Sequence, residues 1–139
     1  MIYFFCEDID YKLTAKSKTK KWLAEIVKRE GKKVGDINII FCSDEYLLEV
    51  NKKYLNHDYY TDIITFNYNT EKINGDLFIS VDRVNENEKT LNVPRETEMN
   101  RVMAHGVLHL LGYKDKTEKE EKEIREKENI YLEVLKNIS

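Results

Sequence analysis

Apolar and polar positions along the chain alternate between the two-residue period of strands and the 3.6-residue period of helices. The two-residue pattern predicts four strands, at residues 2–5, 36–42, 61–66 and 76–81. The longer period predicts five helices, at residues 16–30, 44–54, 82–89, 94–111 and 118–136. Strands and helices follow one another without a regular repeat, so the pattern indicates an α+β fold.

Particular residues mark where several of these elements begin. Ser43 is a good N-cap for the second helix, because its side-chain oxygen can accept from a free backbone amide. Pro94 suits the first turn of the fourth helix, since its missing amide hydrogen would be unpaired there. Residues 117–120 read Thr-Glu-Lys-Glu, the pattern of a capping box for the last helix. The pair Asn74-Gly75 is typical of a turn and is expected to lead into the fourth strand.

The apolar faces of the helices predict how the elements pack. We expect a single domain over residues 1–139, with one mixed sheet of about four strands covered by the long fourth helix and its neighbours. The second helix should bury Leu47, Val50 and Tyr54. The fourth should turn inward the residues Met99, Val102, Met103, Val107, Leu110 and Leu111.

Composition restricts the class of protein. Charged residues make up 35% of the 139 positions, and the formal net charge is −3, which argues against a surface coated with basic charge for nucleic acid. A local basic patch stays open. No apolar run approaches the length of a membrane span, and the N-terminus lacks the basic region of a signal peptide. We therefore expect a cytoplasmic protein with no membrane partner, in which Cys6 and Cys42 are reduced and buried.

Two histidines on the fourth helix indicate a metal site. His105 and His109 are four residues apart, so both imidazoles lie on one helix face and can reach one ion. Gly112 can end the helix, and the returning chain would bring Asp115 to the same ion. Three such ligands with a fourth position open are typical of catalytic zinc, although another divalent metal would also suit them. The alternative is that the histidines are ordinary helix residues and Asp115 starts the next helix.

The spacing H-x3-H-x2-G-x2-D is similar to that of zincin-like proteases of the metzincin class. Those enzymes carry a glutamate general base directly after the first histidine, and Gly106 occupies that position here. A peptidase is therefore disfavoured, unless a carboxylate such as Glu118 faces the metal. Hydrolysis of a phosphodiester bond by a metal-activated water stays open.

The segment from His105 to Asp115 resembles the HGxLHLxGYDH signature of the YbeY family. Three further blocks match that family in the same order, at residues 51–54, 61–66 and 75–80. The resemblance implies a metal-dependent single-strand endoribonuclease that acts on ribosomal RNA, at the 3′ end of the small-subunit RNA, in ribosome biogenesis. It also implies the ribosomal small subunit as a partner and no DNA substrate.

Two positions depart from the family pattern. Asp115 stands where the signature ends in a third histidine, and a carboxylate there would make the site's water less acidic. Leu55 stands where the family has an arginine associated with RNA or catalysis. That role would fall to another cation, and the candidates are Lys53, Arg83, Arg101, Lys114 and Lys116.

Three further interpretations follow from the motifs. Asp62 or Asp76 is a candidate to orient a metal-bound histidine, although each can also serve only its strand end or turn. His57 lies in a polar turn and receives no role. A different class of function is an assembly factor that binds RNA or the ribosome without cutting RNA, with a structural metal.

Overall fold

Four strands form one mixed sheet in the computed structural model, which describes residues 1–93 and 95–138. The strands are β1 (Ile2–Cys6), β2 (Val34–Cys42), β3 (Ile63–Asn67) and β4 (Ile73–Ser80). The helices are α1 (Lys16–Arg29), α2 (Asp44–Leu55), α3 (Val81–Leu91), α4 (Arg95–Leu110) and α5 (Glu118–Lys136). The predicted α+β class and the order of the elements are confirmed.

The strands lie in the order β1-β2-β4-β3. β1, β2 and β4 are parallel, and β3 pairs antiparallel with β4 at the edge. The carboxyl ends of the parallel strands therefore lie together. Ser43 and Ser80 begin α2 and α3 there, and each side chain accepts from a backbone amide three residues later.

The main core lies between the sheet and α1, α4 and α5. α4 is central to it, because Met103, Ala104, Val107 and Leu108 are all 0% exposed. α2 covers the opposite face of the sheet with a smaller cluster around Leu47. The prediction that the histidine helix covers the sheet is therefore confirmed.

Three local predictions are wrong: the turn at Asn74-Gly75 and the burial of Tyr54 and of Cys6. Asn74 and Gly75 lie inside β4 rather than in a turn. A Cβ on Gly75 would lie 2.6 Å from both the Leu110 side chain and the Phe66 carbonyl oxygen, so the glycine admits α4 close to the sheet. Tyr54 is 61% exposed, because it lies in the last turn of α2, beyond the buried Val50 and Asn51.

The cysteines differ from each other. Cys6 is exposed, contrary to expectation, because β1 is an edge strand and Cys6 is its last residue. Cys42 is buried as expected, and burial raises the pKa of its thiol to about 12. Both are free thiols.

The helix boundaries agree closely with the sequence pattern. α5 begins with a complete capping box, in which Thr117 and Glu120 exchange side-chain to backbone hydrogen bonds. The prediction for Pro94 falls outside the described residues. No helix in the described ranges is long and apolar enough to cross a membrane.

Candidate metal centre

Three side chains from α4 and the turn after it converge on one point. The Nε2 atoms of His105 and His109 are 2.9 Å apart. The Oδ2 atom of Asp115 is 3.2 Å from the first and 3.3 Å from the second. Ligands at zinc distances in a tetrahedral site are about 3.4 Å apart, so this triangle has nearly the size of one tetrahedral face.

The hydrogen bonds of the two imidazoles fix which nitrogens can bind a metal. His105 Nδ1 is 2.8 Å from Glu128 Oε2, and His109 Nδ1 is 2.9 Å from the backbone oxygen of Tyr113. Both partners accept only, so each Nδ1 must donate its hydrogen. In the neutral rings each Nε2 then presents a lone pair to the same point, where two lone pairs 2.9 Å apart would repel each other. A cation between them resolves this contact, and the residues therefore fit a divalent metal.

The end of α4 brings Asp115 back to the histidines. Gly112 has φ 103°, a left-handed conformation that glycine adopts without strain. Its amide donates to the carbonyl of His109, and the amide of Tyr113 donates to that of Leu108. This is the Schellman pattern that reverses the chain after a helix. It also aims the Tyr113 carbonyl at the His109 ring.

Glu128 on α5 is the residue that holds His105. Its side chain is 3% exposed and also accepts from Arg101 Nη1 at 3.0 Å. Burial raises the pKa of Glu128, but the hydrogen bond and charge of His105, the hydrogen bond from Arg101 and the charge of Arg125 outweigh it and leave the pKa lowered. Burial lowers the pKa of His105, but the hydrogen bond to Glu128 and the negative charge of Glu128 outweigh it and leave the pKa raised. Glu128 is therefore an ionised acceptor that orients the imidazole.

Neither aspartate suggested by the motifs has that role. Asp76 accepts from Asn38 Nδ2 at 3.0 Å within the sheet. Asp62 lies beside His105 in the wall of a cleft, where burial raises its pKa more than the charge of His105 lowers it. The hydrogen-bond partners of the imidazoles are Glu128 and the Tyr113 carbonyl instead.

The spacing of buried residues on α5 contained a signal for Glu128. Ile124, Glu128 and Tyr131 follow one another at four and three residues, and all three are buried. A charged residue within an apolar helical stripe needs a buried partner. The stripe alone does not say which partner, because His105 is 23 positions away in the sequence.

A cleft of about 590 Å³ opens beside the three converging side chains, between α4, α5 and the start of β3. Its walls carry carboxylates, among them Asp62, Glu98, Glu118 and Glu121. The cationic side chains that line it are Arg101, Lys122 and Arg125. The described residues of the cleft thus offer a polyanion a few separate cations rather than a basic surface.

The cations predicted to contact RNA are dispersed. Arg101 lines the cleft but is bound to Glu128 and Asn129. Arg83 pairs with Asp44 at 2.6 Å, at the carboxyl ends of the parallel strands. Lys53 lies over the Tyr54 ring, and Lys114 lines a second, polar pocket near Glu30. The structure brings only Arg101 into the wall of the cleft.

Gly106 faces the sheet. A Cβ at this position would lie 2.7 Å from Ile63 and 3.0 Å from Leu77, both in the sheet. The glycine therefore allows α4 to rest on β3 and β4. Glu118 does line the cleft, as one carboxylate among several.

Comparisons with known proteins agree with this architecture. Residues 4–136 match the profile of a family described as endoribonuclease YbeY. A protein of that name from Cytophaga hutchinsonii is 50% identical over 138 residues, which cover 97% of this chain and 96% of that protein. Another, from Flavobacterium psychrophilum, is 45% identical over 132 residues, or 94% of each chain. The solution structure of TM1509 from Thermotoga maritima has a TM-score of 0.69 and 32% identity, and the match covers 97% of this chain and 89% of that one.

Proposed function

Because the chain belongs to the YbeY family of endoribonucleases, we propose that it is a zinc-dependent enzyme that cleaves single-stranded RNA. The observation that supports it best is the triangle of His105 Nε2, His109 Nε2 and Asp115 Oδ2 beside an open cleft. Three ligands and an open side are what a hydrolytic metal requires. Zinc is the metal of choice for two imidazoles and one carboxylate, although the carboxylate also suits other divalent ions.

When bound, the metal supplies a Lewis acid and lowers the pKa of a water molecule at the open position. The chain's own residues prepare that chemistry. Glu128 and the Tyr113 carbonyl hold each ring with Nε2 toward the site. Asp115 lowers the charge of the centre relative to a third histidine.

The substrate is held by the cleft. Lys122 and Arg125 on α5, with Arg101 on α4, are the cations that can contact phosphates next to the scissile bond. Arg101 is the nearest replacement for the arginine expected at Leu55, because it lies one turn before His105 on the same helix. Arg83, Lys53 and Lys114 stay candidates for more distant contacts.

We assign the biological substrate as ribosomal RNA, at the 3′ end of the small-subunit RNA, with the small subunit as partner. The support is the endoribonuclease activity after which the family is named, together with the resemblance of the four sequence blocks. Such a substrate places the work of the protein in the cytoplasm and requires no DNA contact.

A second candidate is a non-catalytic assembly factor that binds RNA and holds a structural metal. One observation favours it, since Leu55 is 40% exposed where an arginine is expected. This candidate predicts that RNA or ribosome association persists in a protein that never cuts RNA. Loss of metal would then lower stability without changing any turnover.

The test uses the metal-loaded protein with variants His105→Ala, His109→Ala and Asp115→Ala. Each variant removes one corner of the ligand triangle, so elemental analysis should show loss of stoichiometric zinc. Cleavage of a single-stranded RNA should fall roughly 10²–10⁴-fold, the effect typical of a lost catalytic group. His57→Ala is the matched control for metal content, because this exposed histidine is bonded to Tyr59 and lies outside the triangle. Undiminished cleavage by folded, metal-free variants would overturn the proposal.

A further inference from the structure

The segment between α2 and β3 exposes aromatic rings that the core does not use. Tyr59 is 55% exposed and Tyr60 is 47% exposed. Tyr54, at the end of α2, is 61% exposed and borders the same segment. Large rings grouped at the surface mark a binding site more often than single exposed residues do.

This segment leads directly into the wall of the metal cleft. Asp62 lines that cleft together with His105. Its backbone oxygen accepts from the amide of Ser80 at 2.9 Å, which fixes the chain at this point. Tyr60 is two residues before Asp62, so the two Cα atoms are at most about 7 Å apart. Tyr59 is at most about 11 Å away by the same reach.

Both rings are held in place without being buried. The buried Asn51 side chain donates to the Tyr59 carbonyl at 2.9 Å, and the Tyr59 ring stacks on His57 at 5.1 Å. The Tyr60 hydroxyl donates to Glu45 at 2.6 Å. The guanidinium of Arg83 lies 5.4 Å from the centre of the Tyr60 ring. A ligand that stacks here would lose little conformational entropy, because the rings are already ordered.

Charge around the rings does not favour a phosphate site. Lys52 is 3.6 Å from both Glu49 and Asp58. Arg83 is paired with Asp44 at 2.6 Å. Lys52 and Arg83 are thus engaged by carboxylates, and Lys53 lies over the Tyr54 ring. We therefore expect attraction at this segment to come mainly from the ring faces. Nucleic-acid bases are the part of RNA that stacks on tyrosine and on arginine planes, and only unpaired bases present their faces.

We propose that Tyr59 and Tyr60 form a stacking platform for unpaired bases of the RNA, next to the bond that is cut at the metal. The proposal rests on the proposed function, and it names the feature that selects single strands. A base one or two nucleotides from the scissile phosphate would meet these rings while the phosphate stays in the cleft.

The experiment measures KM and kcat of the metal-loaded enzyme for a single-stranded RNA and for a duplex of the same sequence. Tyr59→Leu and Tyr60→Leu should each raise KM for the single strand about tenfold, because stacking of one base is lost. The slope of log KM against log salt should not change, since no phosphate contact is removed. KM for the duplex, already higher, should change less than twofold.

Two kinds of control separate the ring from its surroundings. Tyr59→Phe and Tyr60→Phe keep the ring face and should keep KM near that of the parent. Tyr3→Leu removes a half-exposed tyrosine from β1, at the opposite edge of the sheet from β3, and should leave both constants unchanged. Zinc content of each variant should match the parent, because none of these positions touches the ligand triangle, and a thermal melting curve checks that each variant is folded.

The outcomes distinguish this inference from the function on which it rests. If the parent cleaves single-stranded RNA and both leucine variants keep its KM, the stacking platform is wrong and the endoribonuclease stands. Equal KM values of the parent for single strand and duplex also overturn the platform. A zinc-loaded parent that does not cleave single-stranded RNA overturns both.

Discussion

Glu128 is the residue on which the orientation of His105 depends. It accepts from His105 Nδ1 at 2.8 Å and from Arg101 at 3.0 Å, and its side chain is almost fully buried. We expect Glu128→Ala to weaken zinc binding about 10–100-fold, since the ring loses its acceptor and can rotate. Competition with a chromophoric chelator measures this affinity directly.

Glu128→Gln is the matched variant for this prediction. The amide oxygen can still accept from His105, but the negative charge is lost, so the zinc affinity should fall between those of the parent and of Glu128→Ala. The spectrum of the cobalt-substituted protein should change with alanine and stay close to the parent with glutamine. An alanine variant with parental zinc affinity would contradict the role given to Glu128.

The convergence of the three candidate metal ligands was predictable at this scale because they are close in sequence. His105, His109 and Asp115 lie within eleven positions, and helix geometry with one glycine is enough to bring them together. Glu128 was not found, because its contact depends on how α5 packs against α4. Local motifs pointed instead to Asp62, just before β3, and Asp76, within β4, and neither position reveals which side chain faces an imidazole.

Among the elements, α5 depends on its first turn. Thr117 accepts from the Glu120 amide at 3.1 Å, and Glu120 accepts from the Thr117 amide at 3.0 Å. Thr117→Ala should lower the free energy of unfolding by about 0.5–2 kcal/mol, because an amide at the helix start loses its partner. Thr117→Ser keeps the hydroxyl and should differ little from the parent. Urea denaturation followed by circular dichroism compares them, and equal midpoints for alanine and serine would rule out the cap.

The elements themselves followed from periodicity, and their errors have physical causes. Long amphipathic helices such as α1 and α5 were placed to within a residue or two, since their apolar stripes are continuous. Asn74-Gly75 was misplaced because local turn propensity cannot show that Leu110 of α4 needs a residue without a side chain at position 75. Cys6 was misplaced because an apolar run does not reveal that its strand lies at an edge of the sheet.

On the scale of the whole molecule, Glu30 joins three parts of the chain. It lies at the end of α1 and accepts from the Tyr113 hydroxyl at 2.6 Å and from the Tyr131 hydroxyl, and it pairs with Lys127 at 3.3 Å. These partners come from the turn after α4 and from α5. Burial raises the pKa of Glu30, but the two hydroxyls and Lys127 outweigh it, so the pKa lies below its ordinary value of 4.5.

A lowered folded pKa gives the pH dependence its sign. The contribution of Glu30 is present above the ordinary pKa of 4.5 and is lost as the pH falls through the lower folded value. Glu30→Gln should therefore destabilise the protein by about 1–3 kcal/mol at pH 7, the worth of hydrogen bonds to a buried charge. The difference from the parent should shrink as the pH falls below 4.5 and vanish once the pH lies below the lowered folded pKa, where both side chains are neutral.

Denaturation at several pH values tests this prediction against Glu25→Gln. Glu25 pairs with Arg29 at 3.1 Å on the surface of the same helix, with 37% of its side chain exposed. An exposed pair of this kind contributes about 0–1 kcal/mol, so its loss should be small at every pH. A Glu30→Gln penalty that is as large at pH 3 as at pH 7 would mean that the ionised carboxylate is not the cause.

The packing of Gly106 against the sheet distinguishes this chain from the zinc peptidases that share its helix motif. Zinc peptidases place their general-base glutamate at this position. Here even a Cβ atom would lie only 2.7 Å from Ile63 and 3.0 Å from Leu77, so the site has no room for a side chain. Gly106→Glu would push α4 off β3 and β4, and both histidines would move with it. Conversion of this scaffold into a peptidase therefore needs the sheet to be repacked first, so a single exchange of side chains does not connect the two activities.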